Sequence, residues 1–540
     1  MALYRDFEQT NDHAFNIYNA LRFCKTNNEK ELIFENKTYE LYDEKASECM
    51  LCISNHDVYG LKKVIFLLDE MNDFTIDGNG AAFLLHGSMI SFVVKRSKNI
   101  TLKNFTIDID QTMIMEAIVT GSDDKCCEAE VINRVNYLVQ NDSLTFFNDS
   151  GDSTDLRWIC LRSRDKSKNF VRESKDFYYK DIKNAKFEKN GEKRILIKNS
   201  PDKIDVGMHI LLGGNDRYGC NIFCVDSRDI NIDNITMYRS YGMGIVGQKT
   251  ENIEINSITV KAPDGCVLSL NADATHFINC KGLISVKNSH FSEQMDDALN
   301  IHGVFTKIVD KTKDYILIRY MHHQAKGINT YGENSKISVV NPETLISNGT
   351  YEIDRAEVIN LNYTKLYIKG GTDKIAVNDL VEDLDWSCGL IFENNRVENN
   401  RARGILIAAK GKVLIRNNYF NTPGTAILFE SNGKHWFESG GTTDVTIENN
   451  VFYNCKYACT AWGNSVINVA PREQFNEGKY YHKYINISRN SFINNSANLI
   501  YADNIEKLVI ENNGVDDKSK KINIQNCGCV LRDCEDQTSK

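Results

Sequence analysis

Three aspartates of the sequence have the residue type and spacing that acid–base hydrolysis requires. Asp273 lies in the segment NADATHF, and the pair Asp296 and Asp297 lies in MDDALNIHG, with Asp296 23 residues after Asp273. Neighbouring carboxyl groups raise one another's proton affinity, so one can stay protonated as a general acid while another is ionised as a base. If 23 residues form one structural repeat, adjacent repeats bring these groups to roughly 5 to 9 Å, the spacing that glycosidases use.

Two alternatives to this catalytic interpretation stay open at the level of sequence. The three carboxylates could bind calcium, or they could form a structural ladder of aspartates. Because Asp296 and Asp297 are consecutive, a regular strand would point them to opposite faces, whereas the start of a strand or a bulge would let both reach one groove. The cysteines offer no zinc-like pattern of two pairs or of cysteine with histidine, so no metal ligand is predicted.

Polar side chains near the aspartates have the chemistry of contacts to sugar hydroxyls, and these candidates are Asn271, His276, Asn300 and His302. A histidine in the segment NIHG could equally be a hydrogen-bonded core residue. Later motifs add a second set of candidates, namely Arg401, Arg403, Glu430, Trp436 and Glu438. Trp436 could stack on the apolar face of a sugar ring or anchor a loop into the core.

The two arginines are linked to the aspartates by their position in a repeat. Arg403 follows Asn395 by eight residues, and Asp296 follows Asn288 by the same offset. Equal offsets predict that Arg403 and Asp296 lie on one wall. There Arg401 and Arg403 could bind hydroxyl groups, lower the pKa of an aspartate, or form plain salt bridges.

The repeat itself is an alternating apolar phrase that is followed by asparagine. Nine copies place this residue at Asn104, Asn234, Asn256, Asn288, Asn395, Asn418, Asn450, Asn490 and Asn513, with shortest steps of 22 and 23 residues. Alternation with a period of two predicts short strands, and asparagine and glycine favour the corners between them. Three short strands per step predict an all-β parallel β-helix in which the asparagines form an internal ladder.

Two steps are too long for one coil, since 130 residues separate Asn104 from Asn234 and 107 separate Asn288 from Asn395. Their surplus is rich in short alternating segments, which predicts two inserted small domains that are β-barrel-like or β-sandwiches. Near the start, apolar spacing over residues 11–27 behind Asn11 and Asp12 predicts a helix that covers the open end of the stack. The predicted parts are an N-terminal cap with the first coils (1–111), an inserted domain (112–222), a β-helix core with the catalytic motifs (223–303), a second inserted domain (304–388), and C-terminal coils with a tail (389–540).

Composition excludes several classes of protein. The chain has 540 residues, of which 42% are hydrophobic, which excludes disorder, and its 64 basic and 73 acidic residues form no cationic block for nucleic acid. No apolar run approaches the about 20 residues of a membrane span. Arg5, Asp6 and Glu8 interrupt any signal peptide, which predicts a cytoplasmic location for the chain as written, or an extracellular or periplasmic one if a leader is missing. Oligomeric state is not predictable.

A resemblance to a known family joins these features. The ordered motifs NADATHF, MDDALNIHG, NNRARGILIA, AILFE and HWFESGG resemble glycoside hydrolase family 110, the bacterial exo-acting α-1,3-galactosidases, over about residues 60 to 515. The resemblance implies a right-handed parallel β-helix with β-barrel insertions, inversion of configuration and no cofactor. It implies Asp296 as general acid, and Asp273 with Asp297 as activators of water. The implied substrate is terminal, non-reducing α-1,3-linked galactose of blood-group-B-like or linear oligosaccharides.

Two other functions are compatible with the same fold. A polysaccharide lyase would need calcium held by aspartates and an arginine or lysine as base. A non-catalytic galactoside-binding β-helix would bind the sugar and release none.

Overall fold

Parallel pairing between successive coils organises the chain, as the alternating apolar residues require. The computed structural model describes residues 1–57, 59–165, 170–458, 461 and 463–533, so the predicted tail at 534–540 lies outside the described residues. One sheet of 21 strands and one of 13 strands run along the stack, and they confirm the prediction of an all-β parallel β-helix. In the described ranges, no helix has the length and apolar character to cross a bilayer.

The N-terminal segment combines a helix with the first coils. Helix α1 spans His13–Asn27, and the Asp12 side chain accepts a hydrogen bond from the Phe15 backbone at 3.0 Å, which confirms the predicted cap. Its apolar face, with Ile17 and Leu21, is buried in the same core as the first strands. These strands are β1 (Ala2–Leu3), β2 (Glu31–Ile33), β3 (Thr38–Tyr42), β4 (Ser47–Leu51), β5 (Gly60–Asp69), β6 (Asn72–His86), β7 (Ile90–Lys95) and β8 (Lys98–Ile109). A short 3-10 turn at Tyr4–Phe7 follows β1.

The first insertion is an antiparallel domain with its own core. Its elements are β9 (Ile114–Ser122), β10 (Cys126–Val131), β11 (Asn136–Gln140), β12 (Ser143–Phe147), β13 (Ser153–Asp155), β14 (Trp158–Asp165), β15 (Phe170–Tyr178), α2 (Tyr179–Ile182), β16 (Lys186–Lys189), β17 (Arg194–Lys198) and β18 (His209–Gly213). Seven strands form one sheet, with β15 and β16 at its edges, and β11 to β13 form a second sheet. The described strands form two open sheets that share one apolar core, so in this segment the structure favours the predicted sandwich alternative over a barrel.

The central coils follow the first insertion. They contain β19 (Ile222–Val225), β20 (Arg228–Met237), β21 (Ile245–Gln248), β22 (Glu251–Asn256), β23 (Thr259–Val260), β24 (Thr275–Ile278), β25 (Lys281–Lys287), β26 (His290–Ser292) and β27 (Leu299–Val304). Strands β19, β21, β24 and β27 stack in parallel in the 13-stranded sheet, and the others belong to the 21-stranded sheet. A left-handed residue such as Asn234, with φ of 51°, bends a long strand around a corner of the coil.

The second insertion is a closed barrel. Its strands are β28 (Thr306–Lys311), β29 (Tyr315–Arg319), β30 (Lys336–Val340), β31 (Ser347–Val358), β32 (Tyr363–Ile368) and β33 (Leu380–Asp383), with a 3-10 turn at His323–Ala325. They close in the order β28, β29, β32, β31, β30 and β33, so the barrel-like prediction is confirmed for this segment.

The C-terminal coils continue the stack after the barrel. Their strands are β34 (Cys388–Glu393), β35 (Arg396–Glu398), β36 (Ile405–Ile407), β37 (Lys412–Arg416), β38 (Tyr419–Asn421), β39 (Ile427–Phe429), β40 (Glu438–Ser439), β41 (Asp444–Glu448), β42 (Val451–Tyr453), β43 (Ser465–Val469), β44 (His482–Ser488), β45 (Ser491–Ile493), β46 (Asn498–Asp503), β47 (Ile505–Glu511), β48 (Gly514–Val515), β49 (Ile522–Gln525) and β50 (Cys529–Arg532). Strand β40 pairs antiparallel with the end of β27, which places Glu438 beside Val304 on the coil that carries Asp296 and Asp297.

The recurrent asparagines form an internal ladder only in the C-terminal coils. Asn418 donates to Asn450 at 2.9 Å, and Asn450 donates to Asn490 at 3.0 Å, and all three side chains are buried. In the earlier coils, Asn104 and Asn234 are bonded to each other at 2.9 Å but lie at exposed corners with positive φ. The two sets therefore occupy neighbouring columns and not the single column that was predicted.

The change of column occurs across the barrel insertion. Lys287 of β25 pairs with Glu393 of β34, so Asn288 stacks on Asn394. Ser289 is the residue that stacks on Asn395, since its backbone N–H donates to the Asn395 side chain at 2.9 Å. The sequence alignment had matched Asn288 with Asn395, which is one residue away from the observed match with Asn394. The difference arises because two consecutive asparagines, Asn394 and Asn395, follow the insertion.

Candidate active site

A cavity of about 380 Å³ lies where the central coils meet both inserted domains. This volume falls in the range of about 300 to 1,000 Å³ that is typical of small-ligand sites. The coils and their loops contribute Asn271, Asp273, Asp296, Asn300, Arg401, Arg403, Glu430, Trp436, Glu438 and Arg472. The first insertion and the segments beside it contribute Trp158, Tyr178, Asp216 and Arg217, and the barrel contributes His323 and Gln324.

Asp273, Asp297 and Arg403 occupy one column on three successive coils. Thr275 pairs with Leu299, and Leu299 pairs with Ile405, which places the residues two positions earlier in register. The Arg403 backbone N–H donates to the Asp297 carboxylate at 3.1 Å. Arg403 and Asp296 do lie on one wall. The structural equivalent of Arg403 is Asp297, because the register across the barrel insertion differs by one residue from the predicted alignment.

The three carboxyl groups converge more closely than expected. One oxygen of each lies within 4.8 Å of the others. The consecutive pair diverges, because the Asp296 side chain is 18% exposed and lines the cavity, whereas Asp297 has no exposed surface. Asp273 is 3% exposed and also lines the cavity, so two of the three carboxyl groups face it.

Two guanidinium groups balance the charge of this cluster. Arg403 lies 2.9 Å from one Asp297 oxygen through Nε and 2.8 Å from the other through Nη2, and its Nη2 is 3.6 Å from Asp296. Arg217 Nη2 lies 3.2 Å from the other Asp296 oxygen. A calcium ion takes six to eight oxygen ligands. Because N–H groups already point at these carboxylate oxygens, the donor set does not suit that ion.

Burial raises the pKa of two carboxyl groups of this cluster above the usual value of an aspartate. Desolvation, followed by the charge of Asp296, raises the pKa of Asp273 to about 7, and Arg217 and Arg403 oppose this rise. Burial also raises the pKa of Asp297, against the opposing charge of Arg403. A carboxyl group with such a pKa can exchange a proton at physiological pH, as acid–base catalysis requires.

The two histidines predicted to contact sugar hydroxyls do not line the cavity. His276 has no exposed surface, and its Nδ1 lies 2.6 Å from Asp273 Oδ2. Its Nε2 lies 3.0 Å from Nε2 of His302, which is also buried. The structure therefore places both rings within the wall, where His276 contacts Asp273 and His302 contacts His276, and it favours the alternative of hydrogen-bonded core residues.

The other predicted residues line the cavity with different partners. Asn271 and Asn300 come from the coils, and the Asn300 Oδ1 atom is buried and finds no hydrogen-bond partner among the described residues. Arg401 lies 2.9 Å from Asp176 and 2.7 Å from the Tyr178 hydroxyl, so it ties the first insertion to the coils.

The late motifs form the opposite side of the cavity. Glu430 is paired with Arg472 at 2.7 Å, and burial raises the pKa of Glu430. The Trp436 ring is 44% exposed and lies 4.7 Å from the His322 ring of the barrel, so it does not anchor a loop into the core.

Several lining residues were missed from the sequence, among them Arg217, Trp158, Tyr178, His323 and Gln324. All of them lie in the insertions or in the segments that join these to the coils. No repeat runs through these segments, so no spacing linked them to the aspartates. Arg217, which follows β18 in the segment GGNDRYG, contacts Asp296 only through the tertiary fold.

Comparison with known proteins gives similarities at three levels. A family model described as GLAA-B beta-barrel domain II matches residues 315–381, within the closed barrel. The chain is 30% identical over 481 residues to alpha-1,3-galactosidase A of Shewanella woodyi, which covers 88% of this chain and 78% of that protein. It is 30% identical over 514 residues to alpha-1,3-galactosidase B of Bacteroides fragilis, with 91% and 86% covered. A solved structure, the A-module of the Azotobacter vinelandii mannuronan C-5 epimerase AlgE4, aligns with 99% of this chain and 100% of its own at 8% identity and a TM-score of 0.44.

Proposed function

Because the chain belongs to the family of the bacterial α-1,3-galactosidases, glycoside hydrolase family 110, we propose that it is an exo-glycosidase that removes terminal, non-reducing α-1,3-linked galactose from oligosaccharides. The observation that carries this proposal is the position of Asp273 and Asp296, which face one sugar-sized cavity with their nearest oxygens within 4.8 Å. The inserted domains close the cavity on two sides, which suits a single terminal sugar better than the middle of a chain.

In the proposed reaction, Asp296 is the general acid and Asp273 takes the proton of the attacking water. The bond from water oxygen to the anomeric carbon forms while the glycosidic bond breaks, and the departing oxygen takes the proton of Asp296. Arg217 and Arg403 hold the Asp296 carboxyl group at the cavity, at distances of 3.2 and 3.6 Å.

Asp297 supports the base from inside the wall. Its backbone N–H donates to Asp273 Oδ1 at 3.0 Å, and its carboxylate holds Arg403. In the free enzyme it has no exposed surface. The role of Asp297 as a direct activator of water stays a prediction, and the structure supports a positioning role.

Contacts to galactose come from side chains with spare hydrogen-bonding capacity. The Oδ1 atom of Asn300, which finds no partner within the described ranges, suits a hydroxyl donor, and Asn271 lies on the neighbouring coil. The half-exposed Trp436 ring offers an apolar surface to one face of the sugar ring.

The stereochemical course is the finer part of the proposal. Inverting glycosidases usually hold their carboxyl groups about 6.5 to 9.5 Å apart, and retaining ones about 5 to 5.5 Å. The nearest oxygens of Asp296 and Asp273 lie within 4.8 Å, which is closer to the retaining arrangement. Family resemblance supports inversion, so the first anomer released is a measurement that separates the two mechanisms.

The test is hydrolysis of α-1,3-linked galactosyl oligosaccharides, with and without a neighbouring fucose, followed by proton NMR. We expect β-galactose first, and initial α-galactose would exclude inversion. An unsaturated product that absorbs in the ultraviolet would indicate a lyase, and binding without release would indicate a lectin-like protein. The double variant Asp273→Asn/Asp296→Asn is the control for contaminating activity.

A further inference from the structure

Four side chains form a continuous polar path from one carboxyl group of the cavity to another. Asp273 Oδ2 lies 2.6 Å from His276 Nδ1, and His276 Nε2 lies 3.0 Å from His302 Nε2. The same His302 nitrogen lies 3.6 Å from Oε1 of Glu438. Both ends of the path, Asp273 and Glu438, line the cavity, and both histidines are buried within its wall.

The hydrogen-bond geometry dictates how many protons this path holds. His302 Nδ1 lies 2.7 Å from the Gly303 carbonyl oxygen, which can only accept, so this nitrogen carries a proton. One further proton must lie between the facing Nε2 atoms of His276 and His302. A third must lie between Asp273 Oδ2 and His276 Nδ1, because neither a carboxylate nor a bare imidazole nitrogen can donate to the other.

These three protons allow two arrangements that differ in the state of Asp273. In the first, Asp273 is protonated and donates to His276, which donates from Nε2 to a neutral His302. In the second, each shared proton has moved one step along the path. Asp273 is then ionised and accepts from His276 Nδ1, and His302 carries two protons beside the Glu438 carboxylate.

We propose that His276 and His302 are positioning residues that pass a proton between Asp273 and the His302–Glu438 pair, and so set whether Asp273 is available as a base. The step conserves protons, since Asp273 loses one, His276 gains one at Nδ1 and loses one at Nε2, and His302 gains one. Glu438 faces the open cavity, where a proton can exchange with solvent after product leaves. The inference rests on the proposed function for its role in turnover.

The charges around the path favour transfer without trapping the proton at His276. Burial lowers the pKa of His276 strongly, and the neighbouring charge of His302 acts in the same direction. Asp296, Asp297, Arg217 and Arg403 face Asp273, and His56 lies close enough to interact with His276. The Glu438 carboxylate, 3.6 Å from His302 Nε2, is the anion that would stabilise a doubly protonated His302 in the second arrangement.

The first experiment is the pH dependence of kcat/KM for His302→Gln. A glutamine cannot carry the extra proton, so the proton must stay on Asp273 until higher pH. We expect the acidic limb to move upward by at least about one pH unit, a tenfold loss at low pH. The plateau at higher pH should be retained, because the amide can also donate to His276. Glu438→Gln should move the limb in the same direction.

A matched control removes a buried histidine elsewhere. His482 is buried and bonded to Thr442 in another coil, outside the cavity lining. His482→Gln should leave the acidic limb in place. An equal loss at every pH for His302→Gln, with the limb unmoved, would mean a merely structural role and would overturn the proposal.

A second measurement does not need turnover. Nitrogen-15 NMR of histidine side chains, assigned with His276→Gln and His302→Gln, reports which ring nitrogens are protonated. We expect His302 to show the doubly protonated form and His276 the Nδ1–H tautomer across the lower part of the active pH range. A neutral His302 and an Nε2–H His276 at every pH would reject the relay even in an active galactosidase. Absence of galactose release together with the expected NMR spectra would reject the proposed function alone.

Discussion

Arg403 lies on the coil directly after Asp297, and its guanidinium bridges Asp297 at 2.8 Å and Asp296 at 3.6 Å. One cation thus contacts two consecutive carboxylates that point in different directions, one into the wall and one into the cavity. Catalysis at Asp296 and stability at Asp297 are therefore expected to respond differently to substitution.

Asp296→Asn should abolish proton donation while leaving the fold intact. We expect kcat to fall by about 10² to 10⁴, the usual contribution of a general acid. Because the side chain reaches the cavity and asparagine keeps its shape, the free energy of unfolding should fall by less than it does for Arg403→Met. Activity assays and urea unfolding on the same preparation check both values, and a kcat near that of the wild type would remove Asp296 from the mechanism.

Arg403→Met should destabilise the protein, because it leaves the buried Asp297 carboxylate without its partner. Breaking one side of a buried ion pair costs about 3 to 5 kcal/mol. Asp297→Asn alone should also abolish turnover, but in the Arg403→Met background it should restore part of the lost stability. Urea unfolding of the four proteins in a double-mutant cycle measures this coupling. If the losses in free energy of unfolding of Arg403→Met and Asp297→Asn simply added in the double variant, the result would contradict an energetic coupling between these two residues.

The free energy of unfolding should depend on pH through Asp273. Its pKa rises from 3.8 to about 7 on folding, so between these values the folded state binds a proton that the unfolded state has lost. The stabilisation that the raised pKa of Asp273 gives to the folded state is therefore fully present below about pH 4. It is lost as pH rises toward 7, by at most about 1.4 kcal/mol per pH unit. Asp273→Asn should flatten this slope in urea unfolding at pH 5, 6 and 7. An unchanged slope would show that Asp273 is ionised in the folded state throughout.

Chelation should leave galactose release unchanged. Arg217 and Arg403 already neutralise the carboxylates that a cation would bind. Activity after dialysis against EDTA, with and without added calcium, measures this. Strong loss that calcium restores would favour the calcium alternative and the lyase chemistry linked to it.

Trp436→Ala should weaken substrate binding without unfolding the protein. The ring is 44% exposed, so little stability is at stake. Stacking is worth about 0.5 to 1.5 kcal/mol, which predicts a rise in KM of roughly 2- to 12-fold with a smaller change in kcat. Trp386→Ala, at a tryptophan outside the cavity lining, is the control and should leave KM unchanged. An unchanged KM for Trp436→Ala would place the sugar elsewhere in the cavity.

Much of the fold was predictable because its pattern is local. The period of two within each strand and the 22- to 23-residue step are properties of short segments, and they predicted the coils and both insertions, while the apolar spacing of residues 11–27 predicted the N-terminal helix. The register across the second insertion was not predictable. Asn394 and Asn395 are both candidates to stack on Asn288, and only the pairing of β25 with β34 chooses Asn394.

The sequence by itself indicated that Asp273 comes close to the pair Asp296 and Asp297, because about one coil separates them and coils stack at strand spacing. The tertiary structure then aligned Asp273 with Asp297 and not with Asp296. Only the tertiary structure decided that Asp297 and the two histidines face the wall and that Arg217 reaches Asp296. The physical reason is that side-chain direction at a strand end, and the docking of an insertion onto a coil, depend on packing between distant segments. Packing of this kind produces no repeating pattern in the sequence, so the sequence could not predict it.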